Sequence, residues 1–151
     1  MENWNVSKGN DFKYLFNECP SLVDISPLYK WNIRNATTIT SLFNGCSSLL
    51  NISGLKNWDV SNVLYFNYLF KDCKKLSDIS FLGNWNVSKG KDFSSLFFGC
   101  QSLSDVSILN NWKVGTEAEI TSIFGNCPID KNQKPSWANL CLSDMMINII
   151  E

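Results

Sequence analysis

Residues 4–30 read WNVSKGNDFKYLFNECPSLVDISPLYK, and residues 31–57 restate the phrase as WNIRNATTITSLFNGCSSLLNISGLKN. Trp4, Trp31, Trp58, Trp85 and Trp112 recur every 27 residues, and Cys19, Cys46, Cys73, Cys100 and Cys127 follow them fifteen positions later. A fixed period of roughly 20 to 50 residues marks repeats too small to bury their own apolar faces, which they do by stacking on their neighbours.

Aligned on Trp, the repeats share apolar columns led by Val6, Phe12, Leu15, Phe16, Leu22, Ile25 and Leu28. Phe12, Leu15, Phe16, Cys19 and Leu22 are spaced i, i+3, i+4, i+7 and i+10, which predicts one face of a helix about three turns long. Asp11, Asp92 and Glu119 stand where a carboxylate caps such a helix, and Pro20 and Pro128 end it just after the Cys column. Residues 22–26 and their equivalents, bounded by Pro27, Gly54 or Gly83, predict a short strand, and residues 4–6 a second extended piece. The expected fold is an α/β solenoid, leucine-rich-repeat-like. It has about five 27-residue repeats, each with one short helix and one or two short strands, stacked as a parallel sheet.

The chain has 151 residues, 44% of them hydrophobic, which suits one domain. We expect the solenoid over residues 1–127 and a C-terminal cap over 128–151, where Asp130, Gln133 and Ser136 replace the apolar columns and Ser136 opens a helix. Only Met1, Glu2 and Asn3 precede Trp4, so the first repeat is expected to be uncapped. Net charge is −1 and the pI about 5.4, which gives no footprint for nucleic acid or an anionic membrane. Lys71, Lys74 and Lys75 read as a solvated face, and there is no apolar run of about 18 residues to span a membrane. The N-x-S/T sequons at Asn5, Asn35, Asn51 and Asn86 are products of the repeating phrase.

The chain holds no His and no CxxC, so the five periodic cysteines read as a buried line of reduced thiols with neither metal nor cofactor. Helical packing on that side is expected to hold them beyond disulfide span. Cys141 lies outside the period, and its redox state is left open.

Leu15–Leu22, Leu42–Leu49 and Leu96–Leu103 each carry Leu-Phe-x-x-Cys-x-x-Leu, and Trp58-Asp59-Val60-Ser61 repeats the Trp-Asn/Asp-Val-Ser phrase. Over residues 1–127 this resembles the BspA-type leucine-rich repeats of bacterial and protist surface proteins, in particular the branch associated with mycoplasmas. The resemblance implies a curved solenoid used for adhesion or protein recognition, with no catalytic residues to carry over. It implies a cell-surface location if the chain is part of a longer one. A complete chain, with no signal peptide visible before Trp4, would be cytoplasmic.

Catalysis lacks its usual groups, since the chain has no His, Gly-rich phosphate loop or GxSxG motif. Asp24, Asp78 and Asp105 share one column beside Ser26, Ser80 and Ser107 and are expected to bond nearby N–H groups, leaving an acidic strip for a polar partner if exposed. Tyr65, Tyr68, Phe81 and Phe98 are large apolar residues in columns that are otherwise mostly small or polar, and they form the candidate partner-binding patch. The function that follows is a non-catalytic protein-interaction or adhesion module. The alternative is a structural self-assembler that forms dimers or fibres through its uncapped N-terminal edge.

Overall fold

The computed structural model describes residues 4–139. Its regular elements are 3-10 helices, at Ser26–Lys30, Ser53–Leu55, Ser80–Leu82, Ser107–Asn111, Lys131–Gln133 and Ser136–Asn139. This overturns the expected α/β leucine-rich-repeat solenoid. Among the described residues there is no α-helix, no strand and no sheet, only isolated parallel bridges at Asp11, Thr38, Tyr65, Asp92 and Glu119 and one between Asp24 and Asn51. The leucine-rich-repeat, BspA-like and repeat-solenoid readings fall with it, and the adhesion role they implied loses its ground.

The physical reason lies in the backbone where the helix was expected. Tyr68 and Asp72 have φ of 59° and 57°, and their counterparts Tyr14, Glu18, Ser41, Gly45, Ser95, Gly99, Ser122 and Asn126 are also positive. A left-handed residue every fourth position cannot belong to a right-handed α-helix. The segment is instead a run of three-residue turns, with Leu69 N–H donating to Phe66 O (3.2 Å), Lys71 to Tyr68 O (3.2 Å) and Cys73 to Phe70 O (3.1 Å). The intervening N–H groups leave the coil. Phe66, Tyr68, Phe70 and Asp72 donate to Asp92, Ser94, Leu96 and Phe98 O of the next coil at 2.9, 3.0, 2.9 and 2.7 Å. Half of the donors a helix would keep to itself thus bind one coil to the next. The predicted strand fails for a similar reason, because Ile79 N-caps a 3-10 helix in place of extending a ladder.

Side chains run the other way across each interface. The indole N–H of Trp58, Trp85, Trp112 and Trp137 donates to Leu28, Leu55, Leu82 and Leu109 O at 3.1, 3.0, 2.8 and 2.9 Å. Neighbouring indoles stack, as Trp31 and Trp58 do with centroids 6.2 Å apart and planes 2° from parallel. Phe16, Phe43, Phe70, Phe97 and Phe124 form a second stacked column with steps of 5.6 to 5.8 Å. These rings, with Leu42, Leu69, Leu96, Ile52 and Leu82, make one continuous buried core.

Past Cys127 the chain crosses the last coil. Ile129, Trp137 and Ala138 pack on the core, and Trp137 stacks on Trp112 at 6.2 Å as a sixth indole two residues short of the period. Ser136 opens a 3-10 helix, Ser136–Asn139. The rest of the expected cap, including Cys141, lies outside the described residues.

Candidate functional site

Two rows of side chains point outward from the turns. In the first, Asp11, Asp92 and Glu119 accept from the backbone N–H two residues on, at Lys13, Ser94 and Thr121, and Thr38 Oγ1 accepts from Thr40 N–H. Ser94 and Thr121 add hydroxyl bonds to Asp92 and Glu119, and the Thr121 hydroxyl holds the Glu119 carboxyl below its ordinary value. Each side chain thus fixes the start of its own turn run. Tyr65 occupies this row in the third coil and has no oxygen that can reach back, so Asn67 N–H has no acceptor among the described residues.

In its place Tyr65 presents a ring that is 43% exposed, and Tyr68 beside it is 38% exposed. Lys71 Nζ stands 5.8 Å from the centroid of Tyr68 and 5.8 Å from that of Phe98, so its ammonium bridges two rings from successive coils. Asp72 holds the same ammonium at 4.0 Å. Phe98 is half-buried and leans on the next coil at Gly125, where a Cβ would come within 2.5 Å of the ring. Tyr14, exposed, shares the Tyr68 column two coils earlier, and the buried Thr38, Thr40 and Ser41 of the intervening coil separate them. Lys71 therefore links Tyr68 to Phe98, Tyr65 stands exposed three residues before Tyr68, and Phe81 lies apart from Lys71 and its two rings. Phe81 sits in the 3-10 helix Ser80–Leu82 and packs partly against the core.

The aspartate column is also local in its bonding. Asp24, Asp78 and Asp105 Oδ1 accept from Ser26, Ser80 and Ser107 N–H at 2.8, 2.9 and 2.9 Å, and Asn51 does the same for Ser53. The Ser80 hydroxyl and Ser107 N–H bonds hold Asp78 and Asp105 below the ordinary carboxylate value. These carboxylates stand before the 3-10 helices as turn-starters. Two surface cavities, of 340 Å³ around Pro27, Tyr29 and Gly54 and of 400 Å³ around Asn84, Asn86 and Lys113, are lined by no residue of the aromatic face.

The periodic thiols are free, and Cys46, Cys73 and Cys100 are buried. Cys46, Cys73, Cys100 and Cys127 donate to Phe16, Phe43, Phe70 and Phe97 O at 3.1, 3.2, 3.1 and 2.9 Å. Burial pushes the Cys46 thiol up to about 11 and Cys73 well above its ordinary value. The Cys127 hydrogen bond, with burial, raises Cys100, and it lowers Cys127. Among the described residues no group of three or more His, Cys, Asp or Glu could hold a metal ion, and no helix is long and apolar enough to cross a membrane.

The model of the family described as "Mycoplasma protein of unknown function, DUF285" matches residues 1–53 and 23–137. The chain belongs to that family. Membership of DUF285 supports the mycoplasma association of the sequence resemblance, without a BspA-type leucine-rich repeat. No curated protein and no solved structure matches the chain.

Proposed function

We propose that this DUF285 chain is a non-catalytic protein-binding module whose contact surface is the face formed by Tyr65, Tyr68, Lys71 and Phe98. One observation carries the reading. At the row where four coils place a side chain that caps the next turn, the third coil places an exposed Tyr65 and forfeits the bond. A structural residue gives up no stability to expose a ring, whereas a contact residue does, and aromatic rings on a rigid scaffold are the commonest binding anchors.

The test is Tyr65→Asp, which restores the carboxylate found at Asp11 and Asp92. It should raise stability by about 0.5–1 kcal/mol, the worth of one local hydrogen bond, while weakening capture of the chain's protein partner. Tyr65, Tyr68 and Phe98 changed together to Ser should abolish capture. A fall in melting temperature with Tyr65→Asp, or capture unaltered by the triple change, would withdraw the assignment.

A further inference from the structure

One small cradle recurs along the row that Asp11 begins. Asp92 accepts from the backbone N–H and the hydroxyl of Ser94, and Glu119 accepts from both donors of Thr121. Asp11 accepts from Lys13 N–H at 3.0 Å and has the Lys13 ammonium at 3.4 Å. The second coil uses a hydroxyl, Thr38 Oγ1 accepting from Thr40 N–H at 3.3 Å. Each cradle thus has an oxygen on one residue and donors on the residue two positions later.

The third coil keeps the donors and lacks the oxygen. Tyr65 stands in the row, bridged to Thr38 on one side and Asp92 on the other, so its backbone holds the common register. Asn67, two residues on and half-buried, has an N–H with no acceptor among the described residues. Its carboxamide oxygen accepts from the Thr40 hydroxyl at 2.8 Å, which leaves Nδ2 as a second donor with no acceptor among those residues. Asn67 O is also engaged, accepting from Ser41 N–H at 3.0 Å.

A ligand for this cradle must bring an acceptor, since both remaining Asn67 groups only donate. An ionised acceptor suits them best, because a charge-assisted hydrogen bond is roughly twice as strong as a neutral one. The row already accommodates carboxylates in succession, at the bridged residues Asp92 and Glu119. We propose that the incomplete cradle at Tyr65 is a carboxylate-binding site: a glutamate or aspartate side chain of the protein partner accepts from Asn67 N–H and Nδ2, in the place that Asp11, Asp92 and Glu119 fill from within their own coils. The inference rests on the reading of Tyr65 as a contact residue and gives the partner's chemistry, an acidic side chain flanked by apolar ones that lie on the exposed ring.

The test follows the Asn67 backbone amide resonance of the full chain. The probes are acetate and two blocked tripeptides, Leu-Glu-Leu and Leu-Gln-Leu. Acetate and the Glu peptide should shift the Asn67 amide saturably, and the Glu peptide should bind about tenfold tighter than the Gln peptide, the difference between a charged and a neutral acceptor. Tyr65→Asp supplies the carboxylate from within the chain and should abolish the Asn67 response. Tyr65→Glu, which matches Glu119, repeats that test, and the spread of the other amide resonances shows that each variant is folded. Tyr65→Ala removes the ring but leaves both donors open, so its Asn67 amide should still respond to acetate. That response supports the cradle even if capture of the partner proves indifferent to the rings, so the two readings fail separately. An Asn67 amide that does not move, or moves with acetate no more than amides across the whole surface, would overturn the proposal. So would equal affinity for the two peptides, or a response in Tyr65→Asp and Tyr65→Glu equal to that of the wild type.

Discussion

Gly45 and Gly99 stand where Glu18, Asp72 and Asn126 stand in other coils, all at positive φ, and this column steers the backbone into its turns. At Gly99, with φ of 76°, a Cβ would also meet the Asp72 carboxylate of the preceding coil. Gly99→Ala should therefore cost about 1–2 kcal/mol, the usual expense of a left-handed residue, measured by urea unfolding. Ser95→Gly, at φ 53°, should shift stability the opposite way. The thiols set a second residue-scale dependence. Burial pushes the Cys46 thiol up from its ordinary 9.0 to about 11, so the folded state holds the proton more tightly than the unfolded one. Its contribution is complete below pH 9.0 and is lost as pH rises through about 11. Two units correspond to about 2–3 kcal/mol. Urea unfolding from neutral pH upward should show that decline, and Cys46→Ala should reduce its slope.

At the scale of the element, the spacing of Phe12, Leu15, Phe16, Cys19 and Leu22 selected the inward side chains well, since their counterparts Phe66, Leu69, Phe70, Cys73 and Leu76 are all buried. It did not select the backbone, because three-residue turns joined by left-handed residues repeat every four positions and mimic helical spacing. The signal that separates the two is the column Glu18, Gly45, Asp72, Gly99 and Asn126, rich in residues that tolerate positive φ and poor as a helix interior. The Tyr14, Ser41, Tyr68, Ser95 and Ser122 column carries no such mark, which left half of the pattern illegible. The indole columns, by contrast, were plain in the Trp period, though their hydrogen bonds were not. Trp85→Phe keeps a ring between Trp58 and Trp112 and removes the indole bond to Leu55 O, which still accepts from Trp58 N–H. It should cost about 0.5–1.5 kcal/mol, read from the urea midpoint.

At the scale of the molecule, Tyr65, Tyr68 and Phe98 were legible as departures from their columns. Lys71 was not, since its place between two rings depends on how successive coils overlay. Phe81 departs from a different column, that of Pro27, Gly54 and Ile108, and packs partly against the core. Trp137 escaped notice because it arrives two residues early. The same overlay governs how the chain bears load. Each coil is held to the next by the backbone bonds of the turn rows, an indole bond, a thiol bond and stacked rings. Tension applied at the chain ends falls on one terminal interface at a time, so the yield force is that of a single interface, however long the stack. Each release frees 27 residues, about 90 Å of extended chain, and the molecule lengthens in equal steps under nearly constant pull, as a tether that limits force by paying out length.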